Sequence, residues 1–161
     1  MLKTLLIYLR LNFRKLALYS SIRSAKDYDR MRFEFELSKV ASKNNYRILY
    51  VGIHERSFVY QLTFPFIFID ISNEYLLTSK KNVYVKNCLD IEEDFDLVIL
   101  SGIYNYGTNS EGFKKILRKR NFKNFLILDW IKNYSYHKSF FTENSKIKKL
   151  KRSFFYYTHF E

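Results

Sequence analysis

The sequence predicts an α/β fold: a mostly parallel β-sheet with helices on both faces. Three observations lead there. Short apolar runs rich in β-branched and aromatic residues recur along the chain, as in Ile48-Leu49-Tyr50-Val51, Phe66-Ile67-Phe68-Ile69 and Leu97-Val98-Ile99-Leu100. Such runs suit strands buried on both faces. Between them lie segments with helical spacing of apolar residues, and this alternation implies parallel strands joined by crossovers. Only four Gly and one Pro occur in 161 residues, too few turn residues for an all-β sandwich.

Each element follows from its local pattern. Residues 2–20 read as a first, basic amphipathic helix. Ser24 stands three residues before Asp27 as a capping-box-like start, and Tyr28, Met31, Phe35 and Leu37 to Val40 continue at helical spacing to about Ser42. The polar connector Ser42-Lys43-Asn44-Asn45 is the one convincing internal boundary. It separates a helical arm, 1–44, from a sheet domain, 45–161. Strand one is Arg47 to Ile53, and Arg56 to Leu62 has room for two turns of helix. Pro65 marks the start of strand two, Phe66 to Ile71, at a position where a missing N–H is tolerated. Ser72 is placed to cap a short helix through Leu77. Asn82 to Asn87 alternates as strand three, and Asp96 to Ile103 forms strand four. Asn109-Ser110 caps a helix from Glu111 to about Arg120, whose last-turn cations complement its dipole. Strand five is Phe125 to Trp130. Ser145 to Arg152 is a basic stretch, and Phe154 to Phe160 has the residues of a final strand.

Composition narrows the function classes. With 47% hydrophobic and 19% aromatic residues the chain is not disordered. Its formal charge of +12 raises nucleic acid or an anionic membrane surface as partners. The same lysines, abundant beside Asn, Ile, Tyr and Phe, are also what an AT-rich coding sequence yields with no partner behind them. No recognition motif accompanies the basic clusters, so the case for nucleic acid rests on charge alone. Residues 2–20 are interrupted by Lys3, Arg10, Arg14 and Lys15 and hold no run of the ~18 apolar residues that a membrane span needs. That helix has two readings, a cover for the sheet of its own domain or a surface-lying membrane contact. It carries no small-residue cleavage site of the signal-peptide kind. The single cysteine, Cys88, excludes an internal disulfide and fits a reducing cytoplasm. No metal site is expected, because His137 and His159 have no ligand spacing with Cys88 or with each other.

In a doubly wound sheet, ligands sit beyond the carboxyl ends of the strands. Four ends meet there: Gly52, Asp70, Asp90 and Ser101-Gly102. Gly52 permits close backbone approach. Asp70 is able to accept two hydrogen bonds from a ribose diol or to cap the next segment. Asp90 stands near where an adenine amino group would lie, or is a solvated loop acid. His54 is a candidate base or substrate contact, or a structural residue. Tyr104, Asn105 and Tyr106 frame a substrate pocket or pack on the sheet.

These residues resemble the class I S-adenosylmethionine-dependent methyltransferases, of the small bacterial type, with a divergent glycine motif. In that family a Gly-rich turn follows strand one, an acid ends strand two and an acid lies after strand three. Here Asp70 follows Gly52 by 18 residues and Asp90 follows Asp70 by 20. The stretch from Asp94 to Gly107 is similar to the family's fourth-strand motif. The resemblance covers roughly residues 45–131. It implies a Rossmann-like three-layer sandwich preceded by two N-terminal helices, with S-adenosyl-L-methionine as cofactor. Gly52, Asp70, Asp90, Ser101 and Gly102 would lie on the cofactor side, and His54, Tyr104, Asn105 and Tyr106 on the substrate side. The implied reaction is methyl transfer to a small-molecule or carbohydrate acceptor. The first turn has one glycine where the family usually has two or three, and Ser101 stands where many relatives have Asn or Asp. These departures motivate two alternatives, a catalytically inactive binding or scaffold protein on the same fold and a nucleic-acid-directed methyltransferase or binder.

Overall fold

A computed structural model describes residues 36–53, 58–103, 110–150 and 153–159. In chain order its elements are helix α1 through residues 36–43, β1 (Ile48–Val51), α2 (Phe58–Thr63), β2 (Ile67–Asp70), β3 (Val83–Val85), β4 (Leu97–Ser101), α3 (Ser110–Leu117), β5 (Asn124–Trp130), α4 (Tyr134–His137), β6 (Lys146–Lys149) and β7 (Ser153–His159). A 3-10 turn, Cys88–Asp90, follows β3, and two more flank α4. The expected helix at 2–20 and the start of the second helix lie outside the described residues.

The seven strands form one sheet in the order β3-β2-β1-β4-β5-β7-β6. β1, β2, β3, β4 and β5 pair in parallel, and β7 is antiparallel to both β5 and β6. Alternation along the strands builds two cores. One face carries Leu49, Val51, Val98, Leu100, Phe125 and Ile127, covered by Phe113, Ile116 and Leu117 of α3. The other carries Tyr50, Phe68, Ile99, Leu126 and Leu128, covered by Tyr60 of α2, Phe64 just after α2 and Ala41 of α1. That makes three layers, with the central strands buried on both faces as their unbroken apolar runs require.

The amino edge is stitched by Asp96. Its Oδ2 accepts from the Arg47 N–H at 3.0 Å and its Oδ1 from Lys123 Nζ at 2.9 Å. Those two donors hold the Asp96 carboxyl below its ordinary range, the Lys123 bond contributing most.

Local expectations are corrected in three places. No helix spans Ser72 to Leu77; the segment is a chain of turns. Its backbone groups are taken by side chains instead of by an i→i−4 ladder. The Ser72 N–H bonds Asp70 Oδ1 (3.0 Å), the Glu74 N–H bonds Ser72 Oγ (3.2 Å), and Gln61 binds both the Leu77 N–H (2.8 Å) and the Tyr75 carbonyl (2.7 Å). This competition is what short polar side chains offer against helix. Cys88, which the sequence pattern puts at the end of strand three, sits instead on the 3-10 turn and is buried. The basic tail contains an additional strand, β6, which pairs with β7.

Candidate functional site at the carboxyl edge

The strand order reverses between β1 and β4: β2 and β3 lie on one side of β1, β4 and β5 on the other. That reversal is the place where an open α/β sheet parts its connections and admits a ligand. Gly52 ends β1 there and Ser101 ends β4.

Gly52 has φ +83°, a left-handed conformation that side chains rarely adopt. A Cβ at this position would lie 2.3 Å from the Ser101 carbonyl oxygen and 2.7 Å from Ile103 Cγ2. The backbone of the β1 turn therefore lies directly against the end of β4, and only glycine fits. The Gly52 N–H donates to the Ile69 carbonyl at 3.2 Å, tying the turn to β2 as well.

Asp70, the last residue of β2, completes the turn. Its Oδ2 accepts from the Ile53 N–H at 2.7 Å, and its Oδ1 accepts from the Ser72 N–H at 3.0 Å. Two backbone donors use about half of the lone-pair capacity of a carboxylate. The half-buried side chain keeps acceptor positions for a ligand.

Ser101 is buried, and Gly102 follows in the left-handed region, φ +64°, with its N–H donating to the Leu128 carbonyl at 2.8 Å. Gly52, Asp70, Ser101 and Gly102 are thus brought together at one edge. No hydrogen bond joins Asp90 to them among the described residues. It is exposed at the end of the 3-10 turn, its N–H donating to the Asn87 carbonyl at 3.1 Å. His54, Tyr104, Asn105 and Tyr106 lie outside the described residues.

A second group at the same edge is one that the sequence pattern does not assemble. Asp129 of β5, His137 of α4 and Tyr156 of β7 are all buried. His137 Nε2 lies 2.8 Å from Asp129 Oδ2, and its Nδ1 lies 2.8 Å from the Tyr156 hydroxyl. One neutral tautomer satisfies both contacts: Nε2–H donates to the carboxylate, and the Tyr156 hydroxyl donates to Nδ1. Asp129 Oδ1 accepts from the Trp130 N–H (2.6 Å) and from Asn133 Nδ2 (3.0 Å). Burial above all, then the charge of Asp129 and the nearby Tyr136, pushes the Tyr156 hydroxyl well up from its ordinary range. Phe113, Phe140 and Phe154 close around the imidazole with ring centres 5.2, 6.4 and 5.1 Å away. This network fastens the segment after β5 to β5 and β7. An acid at a strand end followed eight residues later by a histidine was its only signal.

No family model matches the chain, and no curated protein matches it. Solved structures do. A Thermoplasma acidophilum protein superposes with a TM-score of 0.54 at 11% identity, over 76% of this chain and 81% of its own. A SAM-dependent methyltransferase from Aquifex aeolicus superposes with a TM-score of 0.51 at 15% identity, over 86% of this chain and 96% of its own. The chain has a methyltransferase-like fold. At these identities the likeness concerns the fold.

No helix among the described residues is long and apolar enough to cross a membrane. Among the same residues no cluster of His, Cys, Asp and Glu suits a metal. Cys88 is no candidate nucleophile: burial pushes its thiol up to about 12, against a partial pull downward from Lys119.

Proposed function

We propose that the protein binds S-adenosyl-L-methionine at the carboxyl edge and takes part in methyl transfer. The observation that carries this reading is the Gly52–Asp70 turn. A glycine held at φ +83° lies against the end of β4, and the neighbouring carboxylate retains acceptor capacity after binding the Ile53 and Ser72 N–H groups. A ribose diol presents two hydroxyl donors that a carboxylate of this kind is suited to accept. The residues present fit the nucleoside half of the cofactor. Asp70 would hold the ribose, Gly52 would set the turn that brings the Ile53 N–H onto Asp70 and packs against β4, and Ser101 and Gly102 would line the opposite wall. Asp90 would join only as a contact at the adenine rim.

When bound, the cofactor supplies an electrophilic methyl group on a sulfonium centre. The chain's share of such a reaction is chiefly to hold the acceptor in line and keep water out. His54 and the stretch Tyr104 to Tyr106 are the side chains proposed to face the acceptor. The likeness to a named methyltransferase supports the reading at the level of fold. A small molecule or carbohydrate is the acceptor that the family resemblance implies.

Titration calorimetry with S-adenosylmethionine tests the site. Binding with a micromolar Kd is expected, weakened about ten-fold or more in Asp70→Ala, which is a loss of at least about 1.4 kcal/mol. Absence of heat from folded protein at high concentration overturns the reading. Unchanged affinity in Asp70→Ala removes the role given to that residue. The single glycine of the first turn favours a second reading, a catalytically inactive binding or scaffold protein on the same fold, which the same calorimetry separates from the first by giving no heat with S-adenosylmethionine.

A further inference from the structure

Charge is segregated along this fold. Residues 83–112 carry six carboxylates against Lys86 alone, whereas residues 113–123 carry six basic side chains and no acid, and residues 131–152 carry seven basic side chains against Glu143 alone. A uniform excess of lysine codons does not produce that division.

The basic segment lies at a defined place. β6 is an edge strand whose four residues, Lys-Ile-Lys-Lys, are all exposed, while Phe154, Phe155 and Tyr156 of the adjacent β7 are buried. Both β5 and β6 are antiparallel to β7, so β6 runs parallel to β5. Lys149 stands level with Phe154 and hence with Asp129. Lys148 stands level with Phe155, Leu128 and Ser101. The basic end of β6 is therefore on the same edge as Gly52 and Ser101. Three strand spacings, roughly 14 Å, separate β6 from β4.

The lysines converge at that edge. Lys149 and Lys138 rest on the same Tyr134 ring, their ammonium nitrogens 3.9 and 5.6 Å from its centre. Neither forms an ion pair with a carboxylate among the described residues. The ring attracts both ammonium groups but neutralises neither, so two like charges are gathered without a carboxylate paired to either among the described residues. Lys148 and Lys146 stand on the opposite face of β6 from Lys149, level with Phe155 and Tyr157, so lysines flank the free edge of the strand on both sides over roughly 10 Å at the rise of a strand. That is longer than one phosphate group and suits a chain of them.

We propose that the Tyr134 lysine pair and the edge of β6 form a track for the phosphate backbone of a nucleic-acid strand, delivered to the carboxyl edge. If the cofactor reading above holds, that strand takes the acceptor role in place of the small molecule or carbohydrate that the family resemblance implies; the binding track itself does not depend on that reading. The track is electrostatic and reads no bases, since it consists of ammonium groups.

The test is fluorescence anisotropy with a labelled oligo-uridylate of about 15 nucleotides, from about 25 to 200 mM salt. Binding is expected to weaken steeply with salt, with a log–log slope of about −0.7 for each phosphate contacted. The double variant Lys138→Glu/Lys149→Glu is expected to bind at least ten-fold more weakly at low salt, with a slope shallower by about 1.4. Lys138→Arg/Lys149→Arg should retain binding. Lys81→Glu/Lys86→Glu makes the same change of charge at the opposite edge of the sheet and should stay within two-fold of the parent. No anisotropy change at low salt overturns the proposal, and so does an equal loss in the two glutamate variants. Full competition by inorganic phosphate at matched ionic strength overturns the track in favour of a single-phosphate site. Retention on phosphatidylserine vesicles without oligonucleotide binding overturns it in favour of a lipid surface. Oligonucleotide binding without S-adenosylmethionine heat keeps the track and removes the acceptor role. Cofactor heat without oligonucleotide binding removes the track and leaves the cofactor site.

Discussion

Replacing Gly52 by alanine tests the geometry on which the cofactor reading depends. Two costs add. An L-residue forced to φ +83° loses about 1–2 kcal/mol to the clash of its Cβ with its own backbone. That Cβ would also stand 2.3 Å from the Ser101 carbonyl oxygen, where ordinary contact begins near 3.4 Å. The oxygen belongs to the backbone at the end of β4, where Ser101 is paired with Leu128 of β5 and the next N–H, of Gly102, is bonded to the Leu128 carbonyl. It cannot retreat by about 1 Å without disturbing the β4–β5 ladder, an overpacking cost of about 1–3 kcal/mol. The sum is about 2–5 kcal/mol, a large part of the stability of an ordinary domain. In urea, at a slope of about 1–3 kcal/mol per molar, the midpoint should fall by about 0.7 M or more with the slope unchanged. Gly52→Asn separates the two costs, because asparagine tolerates positive φ better but keeps the Cβ. It should recover part of the loss and not all of it. A change below about 1 kcal/mol in Gly52→Ala refutes the close contact between the β1 turn and β4.

Three further predictions concern stability and reactivity. His137→Leu leaves the buried Asp129 Oδ2 without its imidazole donor and the Tyr156 hydroxyl without its acceptor, and equilibrium unfolding should register a loss of about 1–3 kcal/mol; no measurable loss argues against the network. Asp96 has its folded pKa lowered by Lys123 and the Arg47 N–H, so its contribution is present above the unfolded value, near 3.9, and is lost as pH falls through the lower folded value. Because the pair is substantially exposed, Asp96→Asn should cost under about 1 kcal/mol at neutral pH, and the gap between variant and parent should close in acid; a gap that persists there contradicts the sign. Burial of Cys88, whose thiol stands at about 12, should leave it inert to an aromatic disulfide near pH 8 in the native protein and fully reactive in concentrated guanidinium; rapid reaction of the native protein would show that the thiol is accessible.

Much of this fold is legible in the sequence because its central strands are buried on both faces. Continuous apolar runs mark β1, β2, β4 and β5 to within a residue or two, and the face Phe113-Ile116-Leu117 marks α3. The end of α3 is less legible: the helix closes at Leu117, three residues short of the expected Arg120. The bonds of Arg118 and Lys119 to the Lys114 and Ile116 carbonyls continue it only as a loose turn. Ser72 was misleading for a local reason of the same kind, since the side chains of Asp70, Ser72 and Gln61 claimed the backbone groups that a helix needs.

The sequence by itself determined that a glycine and an acid would end the first two strands 18 residues apart, because strand ends are marked by where apolar runs stop. Only the tertiary structure decided that the Gly52 turn lies against Ser101, since that contact requires β4 to pair beside β1. Only pairing revealed β6, whose Lys-Ile-Lys-Lys run has no buried face to mark it and is held as a strand by β7. The joining of Asp129, His137 and Tyr156 is likewise tertiary. They are separated by 8 and 19 residues, and a hydrogen bond at 2.8 Å is fixed by the antiparallel return of β7 and the fold of the segment between, neither of which any local pattern of residues encodes.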